Sequence, residues 1–357
     1  MKSKSIIRII EAIRLFNLSI TKTLLFSVIL ILNFSTAFSQ TGIKGFVKDT
    51  KGKPLAYSTI YVKELKTGTV ANENGYFEFS MLQGEYQIDF RCLGYQSVSK
   101  QVSVQQGFTN LDIQLYEQLI ELRTVTIYSS TEDPAYPIMR KAVAAAYYYR
   151  MLVKDYDVNI YFKGAGEISW PRILHNLGKA GGTDNTEYQT NESYNLIHYE
   201  YPSKYEQHVI WARNNSKDKS VDQVNYFLKA SIYAPDFGGT VSPLSPSAFS
   251  FYLFKLINSF IDKGSEIYKI SVIPRSKGGN FYSGEIYIVN KLWRVYNFNL
   301  KTHWEGFEIT INQMFAPVNH NIWVPINHQY DIKGSLIGIK FKWKYLALMS
   351  NYKLEIN

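Results

Sequence analysis

The stretch TGIKGFVKDTKGKPLAYSTIYVK at 41–63, continued by TVANENGYFEF at 69–79, decides how the first domain folds. Short alternating runs are cut by polar turns: Asp49-Thr-Lys-Gly52, Asn72-Glu-Asn-Gly75, Gln83-Gly84 and Leu93-Gly94-Tyr95. Period-two alternation is the mark of a half-buried strand, and glycine supplies the positive φ that a tight reversal demands. Ile60 and Val62, Phe77 and Phe79, Ile88 and Phe90, then Leu111, Ile113 and Leu115 offer inward faces for two packed sheets. The reading is a small all-β sandwich over 40–117.

Outward from this segment, the 357 residues suffice for two domains with proper cores. The 28 Tyr and 21 Phe, against 19% charged residues, favour strand-rich structure. Part of the net charge of +9 lies at the start, where Lys2, Lys4, Arg8, Arg14 and Lys22 face only Glu11, and the rest is thinly spread. No basic run follows, which argues against a nucleic-acid partner. Cys92 is the one cysteine, so neither an internal disulfide framework nor a multi-cysteine metal site is available. It continues the face of Tyr86, Ile88 and Phe90 and reads as a small core residue rather than a nucleophile.

Upstream, a basic segment precedes TLLFSVILIL at 23–32, and Ala37-Phe38-Ser39 follows with small residues. This is the layout of an export signal over 1–39, with cleavage expected between Ser39 and Gln40. The rival is a retained anchor through 23–38, although the apolar run is short for a hydrocarbon core of about 30 Å. Export places the mature chain in the periplasm or at the outer membrane.

Gly45-Phe-Val-Lys-Asp49, Gly52-Lys-Pro-Leu-Ala56, Asn72-Glu-Asn-Gly-Tyr-Phe77, Gly84-Glu-Tyr86 and Gly94-Tyr95 resemble the carboxypeptidase regulatory-like domain. The resemblance implies a prealbumin-like sandwich that accompanies a partner domain and has no catalytic residues of its own. A His-x-x-Glu pair is absent, and the six histidines show no ligand spacing. The edges of such a sandwich can pair with another chain, but no residue signals it.

A connector over 118–153 follows: an extended segment, LIELRTVTI at 119–127, then Asp133-Pro134 as a helix start. The helix expected from 138 to about 151 has two stripes, Met139, Val143, Ala146, Arg150 and Ile138, Ala142, Ala145, Tyr149. Its Tyr147–148–149 triplet reads as packing onto a sheet. From 154 to 357, aromatic strands recur near 156–162, 194–200, 207–212, 266–273, 281–289, 293–300, 307–315, 323–331 and 337–346. They predict an antiparallel meander, interrupted by a short helix at 171–177 and a longer one at 247–260. Phe251, Phe254, Ile257 and Ile261 approximate helical spacing there. The fold class expected is mostly β: a prealbumin-like sandwich, then an antiparallel, half-barrel-like curved sheet with two helices. Phe251, Phe254 and Ile257 are candidate hydrophobic-ligand contacts if the sheet leaves a pocket, and core residues if it is filled, the reading preferred.

Asp133-Pro-Ala-Tyr-Pro-Ile-Met-Arg-Lys-Ala142, Ser242-Pro-Leu-Ser-Pro-Ser-Ala-Phe249, Ile267-Tyr-Lys-Ile-Ser-Val-Ile-Pro274, Phe281-Tyr-Ser-Gly-Glu-Ile-Tyr-Ile-Val289 and Trp293-Arg-Val295 resemble a family of Gram-negative envelope proteins of unknown function. Its members join a regulatory-like domain to a domain of unknown function, usually followed by an outer-membrane barrel. The Ile270-x-Val272-x-Pro274, Gly284-x-Ile286-x-Ile288 and Trp293 portion is also similar to the half-barrel of periplasmic lipoprotein carriers.

Chemistry is scarce. There is no Gly-x-Ser-x-Gly elbow, and Gly178-Lys-Ala-Gly-Gly182 lacks phosphate-loop spacing. Glu167 and Asp157 read as exposed strand acids rather than a catalytic pair. Asp222, Asp236 and Asp262 are too scattered for a calcium loop. No enzyme, cofactor or metal site is expected. The leading reading is a periplasm-facing binding or docking module, the front part of an outer-membrane barrel protein, with an envelope protein as partner. A carrier or sensor of lipid is one alternative. Another is the start of a TonB-coupled receptor, whose Leu122-x-x-Val125-x-Ile127 segment this chain shares but whose plug does not follow.

Overall fold

The computed structural model describes residues 41–92, 94–117, 132–171, 186–201, 204–214, 230–276, 280–319 and 322–356. The export signal, the extended segment at 119–127, the Gly178–182 loop and all but the first residue of the expected helix at 171–177 lie outside them.

Eight strands build the sandwich: β1 (Gly42–Asp49), β2 (Thr59–Val62), β3 (Thr67–Val70), β4 (Tyr76–Ser80), β5 (Gly84–Arg91), β6 (Val98–Val104), β7 (Phe108–Asn110) and β8 (Ile113–Leu115). One sheet runs β4-β1-β7, with β8 continuing on β1; the other runs β3-β2-β5-β6. Local turn chemistry explains the reversals. The Asp49 carboxylate accepts from the Lys51 and Lys53 amides at 2.8 Å each, and the Asn72 side chain accepts from Asn74 and Tyr76. Gly75 adopts φ +73°, and a Cβ there would lie 2.5 Å from the Val47 carbonyl. Ile43, Val47, Ile60, Phe77, Ile88, Phe90 and Leu115 form the core between the sheets, with Cys92 packed partly buried against it.

Helix α1 (Ala135–Met151) leads into β9 (Val153–Ser169), β10 (Thr186–Glu200) and β11 (Lys204–Asn214). A small hairpin, β12 (Asp236–Phe237) and β13 (Thr240–Val241), and a single helical turn, α2 (Ala248–Phe251), follow. Then come β14 (Tyr252–Asp262), β15 (Ser265–Pro274), β16 (Ser283–Val289), β17 (Val295–Trp304), β18 (Phe307–Asn319), β19 (Ile322–Leu336) and β20 (Ile339–Ile356). Ten of these make one open, curved antiparallel sheet in the order β11-β10-β9-β20-β19-β18-β17-β16-β15-β14. β20 returns to pair with β9, which joins the three-strand β9–β11 ribbon to the seven-strand meander.

The expected helix at 247–260 is corrected: only Ala248–Phe251 is helical, and Tyr252–Asp262 is the edge strand β14. Tyr252 and Phe254 are buried while Leu253 and Lys255 are exposed, the alternation of a strand. Ladder partners then jump from Leu256–Ile270 to Asn258–Lys269, leaving Ile257 as a bulge. One extra residue turned a period of two into a spacing that imitates 3.6.

The helix that covers the sheet is instead α1, which buries Ala135, Met139, Ala142 and Ala146. Met139 and Ala146 come from one expected stripe and Ala142 from the other, while Ala135 lies in a first turn that precedes the expected start. Three of the four are alanines, which lets the helix lie close to β9 and β14. The Asp133 carboxylate receives the amide of Ala135 at 2.9 Å and that of Leu256 at 3.0 Å, satisfying a helix start and a sheet edge together. Tyr149 packs on Tyr233 with ring centroids 5.5 Å apart, while Tyr147 and Tyr148 stay exposed. Val158, Ile160 and Phe162 of β9, Ile286 and Ile288 of β16 and Phe298 and Leu300 of β17 complete the core with α1.

The opposite face of the sheet receives the sandwich. Along β5, Ile88 and Phe90 point into the sandwich, so Asp89 and Arg91 point out of it, and both are buried. Arg91 binds Asp89 at 3.0 Å and donates to the Phe315 carbonyl at 3.3 Å. Lys263, at the β14–β15 turn, reaches the same carboxylate, and Ser99 donates to it at 2.6 Å. Asp262 accepts from Ser97 of the sandwich and from Tyr296. Farther along, Asn327 donates to Thr59 at 2.7 Å, beside an apolar contact of Tyr61 with Met314, Ala316 and Ile326.

Three expectations follow. Phe254→Ala should cost about 3–5 kcal/mol and Ile257→Ser less than about 0.5 kcal/mol in denaturant unfolding, an order that a helix with Ile257 inward would not give. Burial tends to raise the Asp89 carboxyl, but Arg91, Lys263 and Ser99 outweigh it and hold it at about 2, against 3.8 unperturbed. Its contribution is therefore complete above pH 3.8 and is lost as pH falls toward 2. Burial depresses His328 to about 3 from 6.5, so its contribution is complete above pH 6.5 and fades below it. In unfolding followed across pH, His328→Gln should flatten the profile between about pH 6.5 and 4, and Asp89→Asn only the fall below about 4.

Candidate functional site

Where the sandwich rests on the sheet, the two surfaces leave a cleft of about 550 Å³. Its size lies in the range of small-molecule sites, about 300–1,000 Å³. Register builds the floor. Asn299, Asn312, Gln329, Leu346 and Lys163 are consecutive partners across β17, β18, β19, β20 and β9, and all five line the cleft. The next row, Thr310, Asp331, Lys344 and Ala165, lies beside it, and Leu348 and Tyr161 edge the other side. In-register strands place such residues on one face at about 4.8 Å spacing.

The sandwich supplies the roof through Tyr57 and the 69–73 segment. Tyr57 has φ +60°, a conformation uncommon for a bulky residue. Its backbone amide bonds the Ala71 carbonyl at 3.0 Å, and its hydroxyl donates to Glu73 at 2.9 Å. Lys344 closes this corner from the sheet, 2.7 Å from Glu73 and 3.1 Å from the Tyr57 hydroxyl. The Glu73 hydrogen bond raises the Lys344 ammonium, and the same contact lowers the Glu73 carboxyl. On the floor, Gln329 reaches the Tyr57 carbonyl at 3.5 Å, a long contact. The Asn299 and Asn312 carboxamides form no side-chain hydrogen bond to other described residues and face the open space.

The candidates read from the sequence are not in this cleft. Phe254 is buried against Tyr252, Phe249 and Tyr136 on the helix side of the sheet. Phe251 packs on Phe281 with centroids 5.2 Å apart, and Ile257 is 46% exposed at the edge-strand bulge. Asp157 pairs with His198 at 2.9 Å and Glu167 with Lys342, ten residues apart on β9 and hence separated by about 33 Å. Asp236 caps the β12–β13 turn at the Gly239 amide, Asp262 sits in the domain contact, and Asp222 lies outside the described residues. Among the described residues no three His, Cys, Asp or Glu side chains are grouped to hold a metal ion.

The cleft residues passed unnoticed in the sequence, although a signal exists. Asn297 and Asn299, and Asn327 and Gln329, put carboxamides at alternate positions of two strands, and Asn312 adds one on the strand between them. Asn and Asp are depleted in strands, so three neighbouring strands rich in them mark a face with a reason to be polar.

Comparison with known proteins adds relatives. Residues 43–127 match the CarboxypepD_reg-like domain. A TonB-dependent receptor, SusC of Bacteroides thetaiotaomicron, is 38% identical over 66 residues, which are 18% of this chain and 6% of that receptor. The chain thus spans a small fraction of that relative. Among solved structures, a LolA superfamily protein of Nitrosomonas europaea has 10% identity, covers 62% of this chain and 93% of its own, and has a TM-score of 0.24. A DUF1329 family protein of Desulfovibrio piger has 9% identity over 63% and 94%, at 0.25. The MucA/MucB complex of Pseudomonas aeruginosa gives 9% over 61% and 99%, at 0.20. At such scores nothing about this chain follows from them. The second domain is decisive: residues 138–352 match the model of a family of unknown function, DUF5686, and the chain belongs to that family.

Proposed function

We propose that the chain is a non-enzymatic binding module of the cell envelope, exported and facing the periplasm, whose ligand lies between its two domains. The observation that carries this reading is the cleft, floored by polar side chains of five strands and roofed by a separate domain. Buried charge and apolar contact hold roof and floor together, so the cleft keeps its shape without a ligand. The residues around it bind rather than react: its one acid–base contact, Glu73 with Lys344 and Tyr57, is a closed triangle of hydrogen bonds. The basic and apolar leader at 1–39 supports export, and the regulatory-like module supports a role as an attachment to a larger envelope assembly at the outer membrane.

Immunoblotting of fractionated cells with an antibody against 40–117 tests the location. The protein is expected in the envelope fraction, resisting carbonate extraction if it fronts a barrel. Recovery in the cytosol would overturn the reading.

A further inference from the structure

The geometry points to a neutral oligosaccharide of two or three sugar units as the ligand of the cleft, held by the Asn299–Asn312–Gln329 carboxamide row. This deepens the reading of the cleft as a binding site and rests on it.

Three features select the class. First, each carboxamide offers both a donor and an acceptor, and the hydroxyls of a sugar are likewise both. Asn299 and Asn312 make no side-chain hydrogen bond to other described residues, so both functions are available to a ligand at neighbouring ladder positions. Second, the cationic and anionic groups that meet here offset one another. Lys344 is occupied by Glu73 and Tyr57, and the other two charged side chains of the lining, Lys163 and Asp331, are of opposite sign, so the cleft presents no net charge to an ion. Third, Leu346 continues the same row and Leu348 lies in the row on the side away from Lys344, an apolar strip beside the amides. A pyranose ring has that pairing: an apolar C–H face and a rim of hydroxyls.

An extended peptide fits less well. Peptides join sheets at edges, where backbone donors and acceptors are unpaired. Strands β17 to β20 and β9 are interior to the ten-stranded sheet, so their backbone groups are used in the ladder on both sides.

Saturation-transfer NMR on the full chain with maltotriose, cellotriose, xylotriose and chitotriose tests the assignment, with tri-alanine and inorganic phosphate as contrasting probes. At least one trisaccharide is expected to receive saturation. The Asn299→Ala/Asn312→Ala variant should weaken it at least tenfold with the thermal midpoint unchanged. If that variant does not fold, Asn312→Ser replaces it. Equal binding by the folded variant would overturn the assignment. Binding of tri-alanine or phosphate alone, lost in the same variant, would overturn the sugar and leave the cleft as a binding site. No binding by any probe would overturn both.

Discussion

Most of this architecture hangs on one buried contact, the Asp89–Arg91 pair of β5 pressed against the second domain. Both residues are nearly inaccessible, and the pair is completed from the other domain by Lys263 and the Phe315 carbonyl. A buried pair of this kind gains little net stability, because desolvation offsets the attraction. It is nevertheless costly to disrupt: stripping one partner leaves a buried charge uncompensated, at about 3–5 kcal/mol. The domains therefore have a strongly preferred mutual orientation even though each has its own apolar core. Neutral contacts, Asn327 with Thr59 and Tyr61 with Met314, then fill in around the charges.

That orientation is what turns a polar sheet face into a site. Without the sandwich, Asn299, Asn312 and Gln329 would be three solvated amides on open strands. With it, they form the floor of a cleft whose roof reaches down through Tyr57 and Glu73 to Lys344. The left-handed backbone of Tyr57 belongs to the same arrangement. Strain of this kind persists only where the surroundings over-determine it, and here both the Ala71 carbonyl and the Glu73 carboxylate hold the residue in place.

The sandwich was legible from residues alone because its determinants are local. Asn72 and Gly75 make their turn with their own neighbours, and the alternation of Ile88 and Phe90 needs no knowledge of the rest. The meander was legible for the same reason. Legibility failed at β14, where the Ile257 bulge offset the apolar positions and mimicked a helix. It failed again at Asp89 and Arg91, whose outward direction on β5 is readable but whose burial depends on a domain more than a hundred residues away. The cleft combines both difficulties, since its floor comes from five strands and its roof from another domain.

The two faces of the large sheet thus divide the work. The helix-side face is packed with Phe254, Phe298, Ile286 and Ala135, Ala142 and Ala146 of α1, each at 0–3% exposure. Close-packed interiors resist even one added methylene, so an acyl chain inserted between α1 and the sheet would displace α1 from β9 and β14. That displacement would also break the Asp133 bonds to Ala135 and Leu256 and open the edge of the sheet. The opposite face already holds an open volume lined by amides without protein partners among the described residues, and needs no such rearrangement. Binding at the cleft leaves the core intact, which is the physical ground for placing the proposed ligand on the polar face rather than beside Phe251, Phe254 and Ile257.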